Sequence, residues 1–291
     1  MKAPRERRKM IQDIAPHRLN NQYRPEANPK PGDRVFIFKD GNILVKNSED
    51  ATDAGCLPVF EDFGQPPGEE EGFIYLLELD GQAYFYLREP EKLPQGYEFR
   101  SLREIRSSGR YAKEFVFLSI TAFQLSNWYK DNRFCGTCGG RTELSRTERA
   151  IKCPSCGRLI YPRIVPAVIV GVLNGDRILL TKYAGRDIPY YALIAGFTEI
   201  GETLEETVER EVMEEAGLRV KNIRYYKSQP WGIVDDILAG FYCDVDGDTE
   251  IHADTSELKL AEWRTREEVI LQPDDFSLTN EMMKRFKEGR I

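Results

Sequence analysis

Side chains whose type and spacing could do chemistry fall in two short stretches. The first, Ala195 to Leu218, reads AGFTEIGETLEETVEREVMEEAGL. Gly196 and Gly201 bracket a turn, Thr203 with Glu206 three residues on is a capping-box signature, and Gly217 is placed to end the helix that follows. At about 100° per residue, Leu204, Val208 and Val212 form the apolar stripe that must face a core, and Glu211 and Glu215 fall inside it. Glu214 lies at its edge, whereas Glu205, Glu206 and Glu209 fall elsewhere and read as solvated. Carboxylates aimed at a core cost several kcal/mol each unless something pairs with them. Arg210 can answer only part of this charge. A divalent cation answers the rest, and all-oxygen ligation favours Mg²⁺ or Mn²⁺.

The second stretch holds Cys135-Gly-Thr-Cys138 and Cys153-Pro-Ser-Cys156, two CxxC pairs separated by fourteen residues. Turn-forming neighbours (Gly136, Gly139, Gly140, Pro154, Gly157) let the two knuckles converge on one tetrahedral ion, a zinc-ribbon pattern. Four cysteine ligands close the coordination sphere, so this Zn²⁺ is expected to be structural. Arg141, Arg146, Arg149 and Lys152 read as a solvated basic face more readily than as a nucleic-acid contact. Cys56 and Cys243 carry no motif and read as ordinary buried thiols.

The wider composition bounds what these groups can serve. A length of 291 residues allows two domains and a small module. With 41% hydrophobic residues a packed core is within reach, and a net charge of −7 argues against a general nucleic-acid coat protein. Only two histidines, His17 and His252, are present, so acid–base work should fall to carboxylates. No apolar run approaches the roughly 20 residues of a membrane span, and the basic start, Lys2 to Lys9, has no signal-peptide core behind it. A soluble, reducing, cytoplasmic setting is expected, with no membrane partner.

The elements that must position the chemistry follow from periodicity and turn residues. The first thirty or so residues read as a partly ordered tail, with Arg5, Arg7, Arg8 and Lys9 solvated. Strands are expected over Val35–Phe38 and Ile43–Val45 around Asp40-Gly41, and over Phe73–Leu79 and Ala83–Leu87 around Asp80-Gly81, with a Pro/Gly/Glu-rich loop from Gly64 to Gly72 between the hairpins. Tyr111–Tyr129 is helical in period, with Phe115, Leu118, Ala122, Leu125 and Trp128 near one face. After the cysteines come strands at Ala167–Leu173 and Ile178–Thr181 around Asn174-Gly175, and one near Tyr190–Ile194 leading into the acidic stretch. Strands near Val220–Tyr226, Ile237–Asp244 and Leu258–Trp263 and a helix from about Ser277 complete the chain. The expected division is 1–110, a small β-rich domain; 111–132, a connecting helix; 133–162, the zinc ribbon; and 163–291, the domain carrying the acidic helix.

Gly196, five residues, Glu202, seven residues, then Arg210-Glu211-Val212-Met213-Glu214-Glu215-Ala216-Gly217-Leu218 matches every position of the Nudix box, G-x5-E-x7-R-E-U-x-E-E-x-G-U, with U bulky and aliphatic. The chain therefore resembles the Nudix hydrolases, which implies a mixed α-β-α sandwich and hydrolysis of a nucleoside diphosphate derivative by metal-assisted attack of water on phosphorus. The four-cysteine ribbon, Tyr161-Pro-Arg-Ile-Val-Pro166 and Ser228-Gln229-Pro230-Trp231 narrow the resemblance to the NADH pyrophosphatase branch, over roughly residues 111–291. The resemblance implies a homodimer that cleaves NADH or NAD⁺ to a nicotinamide mononucleotide and AMP, and in bacterial members removal of NAD caps from RNA. It also implies that Glu211, Glu214 and Glu215, with the Ala195 carbonyl and Glu257, hold the catalytic metals. Tyr161 and Phe197 would hold the base, and Gln229, Pro230 and Trp231 would line the pocket.

One departure from that branch stands out. Its signature continues S-Q-P-W-P-F-P-x-S, whereas this chain has Gly232-Ile233-Val234-Asp235-Asp236 after Trp231. An aromatic face is lost, the backbone loosens and negative charge enters beside an anionic substrate. ADP-ribose or a nucleotide sugar thus stands as an alternative substrate. An alternative of another class is a zinc-ribbon nucleic-acid-binding protein that senses a nucleotide without cutting it, although the complete Glu211, Glu214 and Glu215 set argues against it.

Overall fold

The computed structural model describes residues 10–48, 52–64, 72–185, 190–273 and 275–291. Arg5, Arg7, Arg8, Lys9 and the centre of the Gly64–Gly72 loop lie outside them. The chain divides into two compact units. One takes the residues up to Asp13, Ile164–Trp231 and Asp235–Ile291, and the other takes Ile14–Arg163 and Gly232–Val234.

In the second of these units the strands β1 (Leu19–Asn20), β2 (Arg34–Phe36), β3 (Phe38–Lys39), β4 (Asn42–Lys46), β5 (Ile74–Leu79), β6 (Gln82–Tyr86) and β7 (Tyr97–Ser101) form two small sheets, β1-β5-β6-β2 and β3-β4-β7. Both Asp-Gly pairs make the tight turns their sequence demands, with positive φ at Asp40 (49°), Gly41 (75°), Asp80 (52°) and Gly81 (85°). The chain passes from one sheet to the other at Ile37, which is buried with Val35, Leu44 and Leu87. Helices α1 (Leu102–Ser107) and α2 (Lys113–Asp131) follow. α2 buries Phe115, Leu118, Ala122 and Trp128, the face its period marks. The ribbon adds β8 (Glu143–Leu144), β9 (Ile151–Lys152) and β10 (Leu159–Ile160), an antiparallel meander.

The other unit is built on β11 (Val165–Asn174), β12 (Arg177–Tyr183), β13 (Ile194–Phe197), β14 (Val220–Trp231), β15 (Asp236–Val245) and β16 (Leu258–Thr265). They form one mixed sheet in the order β14-β15-β11-β12-β16, in which only β11 and β15 run parallel. β13 pairs with Ala167–Val170 of β11, and β12 with Leu173 and Asn174, so the two share one edge of β11 and part from each other along it. Successive β11 residues point to opposite faces. Val168, Val170 and Val172 meet Val208, Val212 and Ala216 of α3 (Leu204–Ala216). On the other face Ile169 and Leu173 belong to the core of Leu278, Met282, Met283 and Phe286 from α4 (Leu278–Lys287). This is the expected α-β-α sandwich.

Several sequence expectations are corrected. The strand expected at Tyr190–Ile194 starts at Ile194, because Ala192 is still bridged to Thr181 of β12. The β11–β12 turn centres on Gly175 and Asp176, with positive φ at Gly175 and not at Asn174, since Asn174 pairs with Arg177 inside the ladder. Part of the tail joins a core: Met10, Ile11 and Ile14 are buried, and the Ile11 amide donates to the Phe276 carbonyl at 3.2 Å, whereas residues 21–30 stay largely exposed.

Gly217 ends α3 at φ 68°, and a Cβ there would lie 2.8 Å from the His252 Cβ. Left-handed backbone and close approach both exclude a side chain. Gly217→Ala is expected to lower the unfolding free energy by about 1–2 kcal/mol in denaturant titration, and unchanged stability would show that the helix end can re-form without glycine.

Candidate active site

The site grows from the start of α3. The Thr203 hydroxyl accepts the Glu206 amide at 3.2 Å, and the Glu206 carboxylate accepts the Thr203 amide at 2.7 Å, so the capping box closes in both directions. With its start fixed, the helix presents Glu211 (9% exposed) and Glu215 (2%) to the interior, while the Glu214 side chain stays 59% exposed.

Arg210 gathers the charge around it. Its guanidinium donates to Glu202 at 2.6 and 2.9 Å, to Glu211 at 2.7 Å, to Glu214 at 3.0 Å and to the Phe197 carbonyl at 2.9 Å. Glu202 is the main beneficiary, and Arg210 holds its carboxyl down at about 2. Sequence reasoning assigned Glu202 no role. It is the partner that anchors Arg210, a link visible in the box pattern only once the turn and helix are folded together.

Glu215 has no such partner. Its Oε2 is buried without a hydrogen bond, and burial first, then the charges of Glu211 and Glu257, push its pKa up to about 8, opposed by the Ala195 backbone amide. Burial also raises Glu211, against the pull of Arg210. Glu257 lies exposed at the start of β16, its carbonyl accepting the Ala184 amide at 2.7 Å. The electrostatic field thus joins Glu211, Glu215 and Glu257, while Glu214 is held at the helix edge. Two buried carboxylates with an orphan oxygen are the donor set a hard divalent cation fits. Gly196 makes room for them: a Cβ there would sit 1.9 Å from the Glu211 carboxyl carbon.

The expected pocket residues separate. Phe197, at the end of β13, is 51% exposed. Trp231, half-buried, ends β14 opposite Asp236. Pro230 is exposed, but Gln229 is fully buried. The Gln229 amide donates to Gln12 at 3.0 Å and to the Phe276 carbonyl at 2.8 Å, and its oxygen accepts the Leu278 amide at 2.8 Å, capping α4. The expectation of a substrate contact at Gln229 therefore gives way to a structural one, because every polar atom of its amide is engaged inside the protein. Asp236 replaces the signature serine with a buried carboxylate that burial raises to about 6. Gly232 groups with the other unit, where a Cβ would come 2.8 Å from Gln124 Oε1 and 3.1 Å from the Ile120 carbonyl, so the glycine reflects close packing and not looseness.

In the ribbon, Cys135, Cys138, Cys153 and Cys156 bring their sulfurs within 4.8 Å of one another, the one such metal-ligating group among the described residues. The knuckles repeat one pattern: Gly139 N–H to the Cys135 carbonyl at 2.8 Å, and Gly157 N–H to the Cys153 carbonyl at 2.9 Å. Backbone amides of Thr137 and Cys138 bring the Cys135 thiol down to about 6, a thiolate ready for metal. Four sulfurs at one point suit structural zinc. Tyr161, at the ribbon exit, is 54% exposed and donates to Glu148 at 3.2 Å.

Three family models match in succession: an NADH pyrophosphatase-like rudimentary Nudix domain over 32–128, the NADH pyrophosphatase zinc ribbon over 130–161, and a Nudix domain over 162–286. The NAD-capped RNA hydrolase NudC of Klebsiella pneumoniae is 35% identical over 217 residues, covering 72% of this chain and 80% of that protein. The chain belongs to the NADH pyrophosphatase branch of the Nudix hydrolases. NudC of Actinobacillus succinogenes is 40% identical over 194 residues, 64% of this chain and 71% of that one. Among solved structures, a Nudix hydrolase from Nitrosomonas europaea aligns over 54% of this chain and 92% of its own, at 24% identity and a TM-score of 0.47.

Gly196→Ala is expected to drive the Glu211 carboxylate out of place. Mn²⁺ affinity measured by calorimetry should fall at least tenfold, with a stability loss of about 1–3 kcal/mol. Wild-type affinity in a folded variant would show that Glu211 does not take part in holding the ion.

Proposed function

We propose that this Nudix hydrolase cleaves the diphosphate of NADH or NAD⁺ to a nicotinamide mononucleotide and AMP, and that it also removes NAD caps from RNA. The observation that carries the reading is the pair of buried acids on the box helix, Glu211 and Glu215, one with an oxygen that no protein group satisfies. The family models named for NADH pyrophosphatase and the NudC relatives support the dinucleotide as substrate.

The residue roles in this reading are these. Glu211 and Glu215, with Glu214, Glu257 and the Ala195 carbonyl, hold Mg²⁺ or Mn²⁺. When bound, the ions supply Lewis acidity and neutralise the diphosphate charge. Arg210 fixes Glu211 and Glu214 from the side and keeps the turn before α3 in register through Glu202 and the Phe197 carbonyl. Phe197 and Trp231 offer aromatic surface for a planar base, Pro230 borders it, Tyr161 of the other unit presents an exposed ring of the same kind, and an Asp236 held partly neutral would lessen repulsion of an anionic substrate. The cysteines hold zinc as a structural clamp. The division 1–110, 111–132, 133–162 and 163–291 stands as the working set of domains, and the enzyme works as a cytoplasmic homodimer. Six free cysteines, four of them gathered as thiol ligands, favour a reducing compartment. Among the described residues no helix is long and apolar enough to cross a membrane.

Product analysis tests the reading. With Mg²⁺ or Mn²⁺, AMP and a nicotinamide mononucleotide should form faster from NADH or NAD⁺ than AMP forms from ADP-ribose, and a nucleotide sugar should be cut slowest. Glu215→Gln should lower kcat by at least a hundredfold while the circular-dichroism spectrum stays native. Preference for ADP-ribose or the nucleotide sugar would re-assign the substrate, and an active Glu215→Gln enzyme would remove the proposed metal role.

A further inference from the structure

The unit that carries no acidic box has a cavity of about 380 Å³ at the place where its two sheets part. Its walls are Ile37, Phe38, Tyr86 and Phe99, and its mouth carries Lys39, Arg88 and Lys130. The acids at the mouth are Asp40 and Glu89, and Glu89 is engaged by Arg133 at 3.0 Å. Arg88 is half-buried and has no carboxylate within 4 Å among the described residues. It donates to the Tyr129 carbonyl at 3.3 Å, and its Nε is buried without a partner. A guanidinium desolvated to this degree normally has a carboxylate or another anion to answer it. Tyr86 and Phe38 approach ring to ring at 6.5 Å, and Phe38 also meets Phe123 edge-on at 5.4 Å, so the aromatic wall is held rigidly.

Among the described residues of this unit no group of acids is gathered to recruit a metal in the way the Nudix box allows. The helix after β7 has six residues, its one glutamate is Glu104, and that side chain is paired to Arg100 at 2.5 Å. An anion here must be met by the protein's own cations. Their number and their setting beside aromatic faces select a ligand with a planar ring and a phosphate. The volume lies near the lower end of the roughly 300–1,000 Å³ of small-molecule sites, enough for one ring, one sugar and one phosphate and small for two of each.

We propose that this cavity binds a nucleoside 5′-monophosphate, with the phosphate at Arg88 flanked by Lys39 and Lys130 and the base against the partly exposed rings of Phe38 and Phe99, backed by the buried Tyr86. Such a molecule is also what the proposed reaction would release, so the site is suited to report on product. Binding here is independent of that reading and is measured without turnover.

The test is photolabelling of the full-length protein with 8-azido-AMP, followed by peptide mapping. Label is expected on peptides containing residues 37–40 and 86–99, suppressed by excess AMP and not by adenosine at the same concentration. Arg88→Gln should reduce that label at least tenfold, with the melting temperature as the folding control. The double variant Lys39→Gln/Lys130→Gln changes only exposed side chains and should reduce it at least fivefold. In both variants, label elsewhere in the chain and NADH hydrolysis should be unchanged. Absence of label from these peptides, equal suppression by adenosine, or full labelling of either folded variant would overturn the proposal.

Discussion

Two carboxylates turned toward a protein core are the constraint from which the catalytic unit is arranged. Glu211 and Glu215 lie on the same face of α3 as Val208 and Val212, whose burial holds the helix to the sheet. The apolar side chains cannot be buried without burying the acids. Each surrounding feature then accommodates that charge. Gly196 leaves out the side chain that would collide with Glu211, and Arg210 ties Glu211 and Glu214 to Glu202 and to the backbone at Phe197. The parting of β12 and β13 along one edge of β11 brings Gly196 of β13 to the helix face. Glu215 is left with an unsatisfied buried oxygen. The site is thus incomplete as protein, and a divalent cation is the partner its chemistry fits.

The two metal sites differ in how the chain prepares them. The ribbon assembles four sulfurs by repeating one backbone turn, and the amides of that turn lower the Cys135 and Cys153 thiols while the neighbouring sulfurs raise Cys156. The acidic site raises the pKa of Glu211 and Glu215 instead. A closed set of four converging sulfurs suits permanent structural zinc, whereas carboxylates that are reluctant to ionise alone suit ions that arrive with an anionic substrate.

Much of this was legible in the sequence because it is local. The capping box, the C-terminal glycine and the inward face of Glu211 and Glu215 follow from a 3.6-residue period, and the cysteines from their spacing. The Asp-Gly hairpins followed from turn chemistry alone. What depended on distant partners was not legible. Gln229 sits in a motif that reads as a binding segment, yet its amide bridges residue 12, residue 276 and the start of α4. Met10 and Ile11 looked like tail, yet Met10 joins the core of α4 and β11 and the Ile11 amide bonds the Phe276 carbonyl. Gly232 read as looseness, and its close neighbours come from α2, more than a hundred positions earlier. The pocket around Arg88 had no motif, because strands far apart in sequence supply its walls.

The most direct measurement is the melting temperature of metal-free protein across pH, for the wild type and Glu215→Gln, with and without Mn²⁺. The folded state holds the Glu215 proton up to about pH 8, whereas the reference carboxyl releases it near 4.5. The native state therefore binds more protons in that interval, and its stability should fall as pH rises through it. The wild type should lose stability over this range and regain it with Mn²⁺ at pH 8. Glu215→Gln should lack this part of the pH slope and respond weakly to Mn²⁺. An identical slope and an identical Mn²⁺ response in the variant would contradict the view that the buried carboxylate is the feature the metal completes.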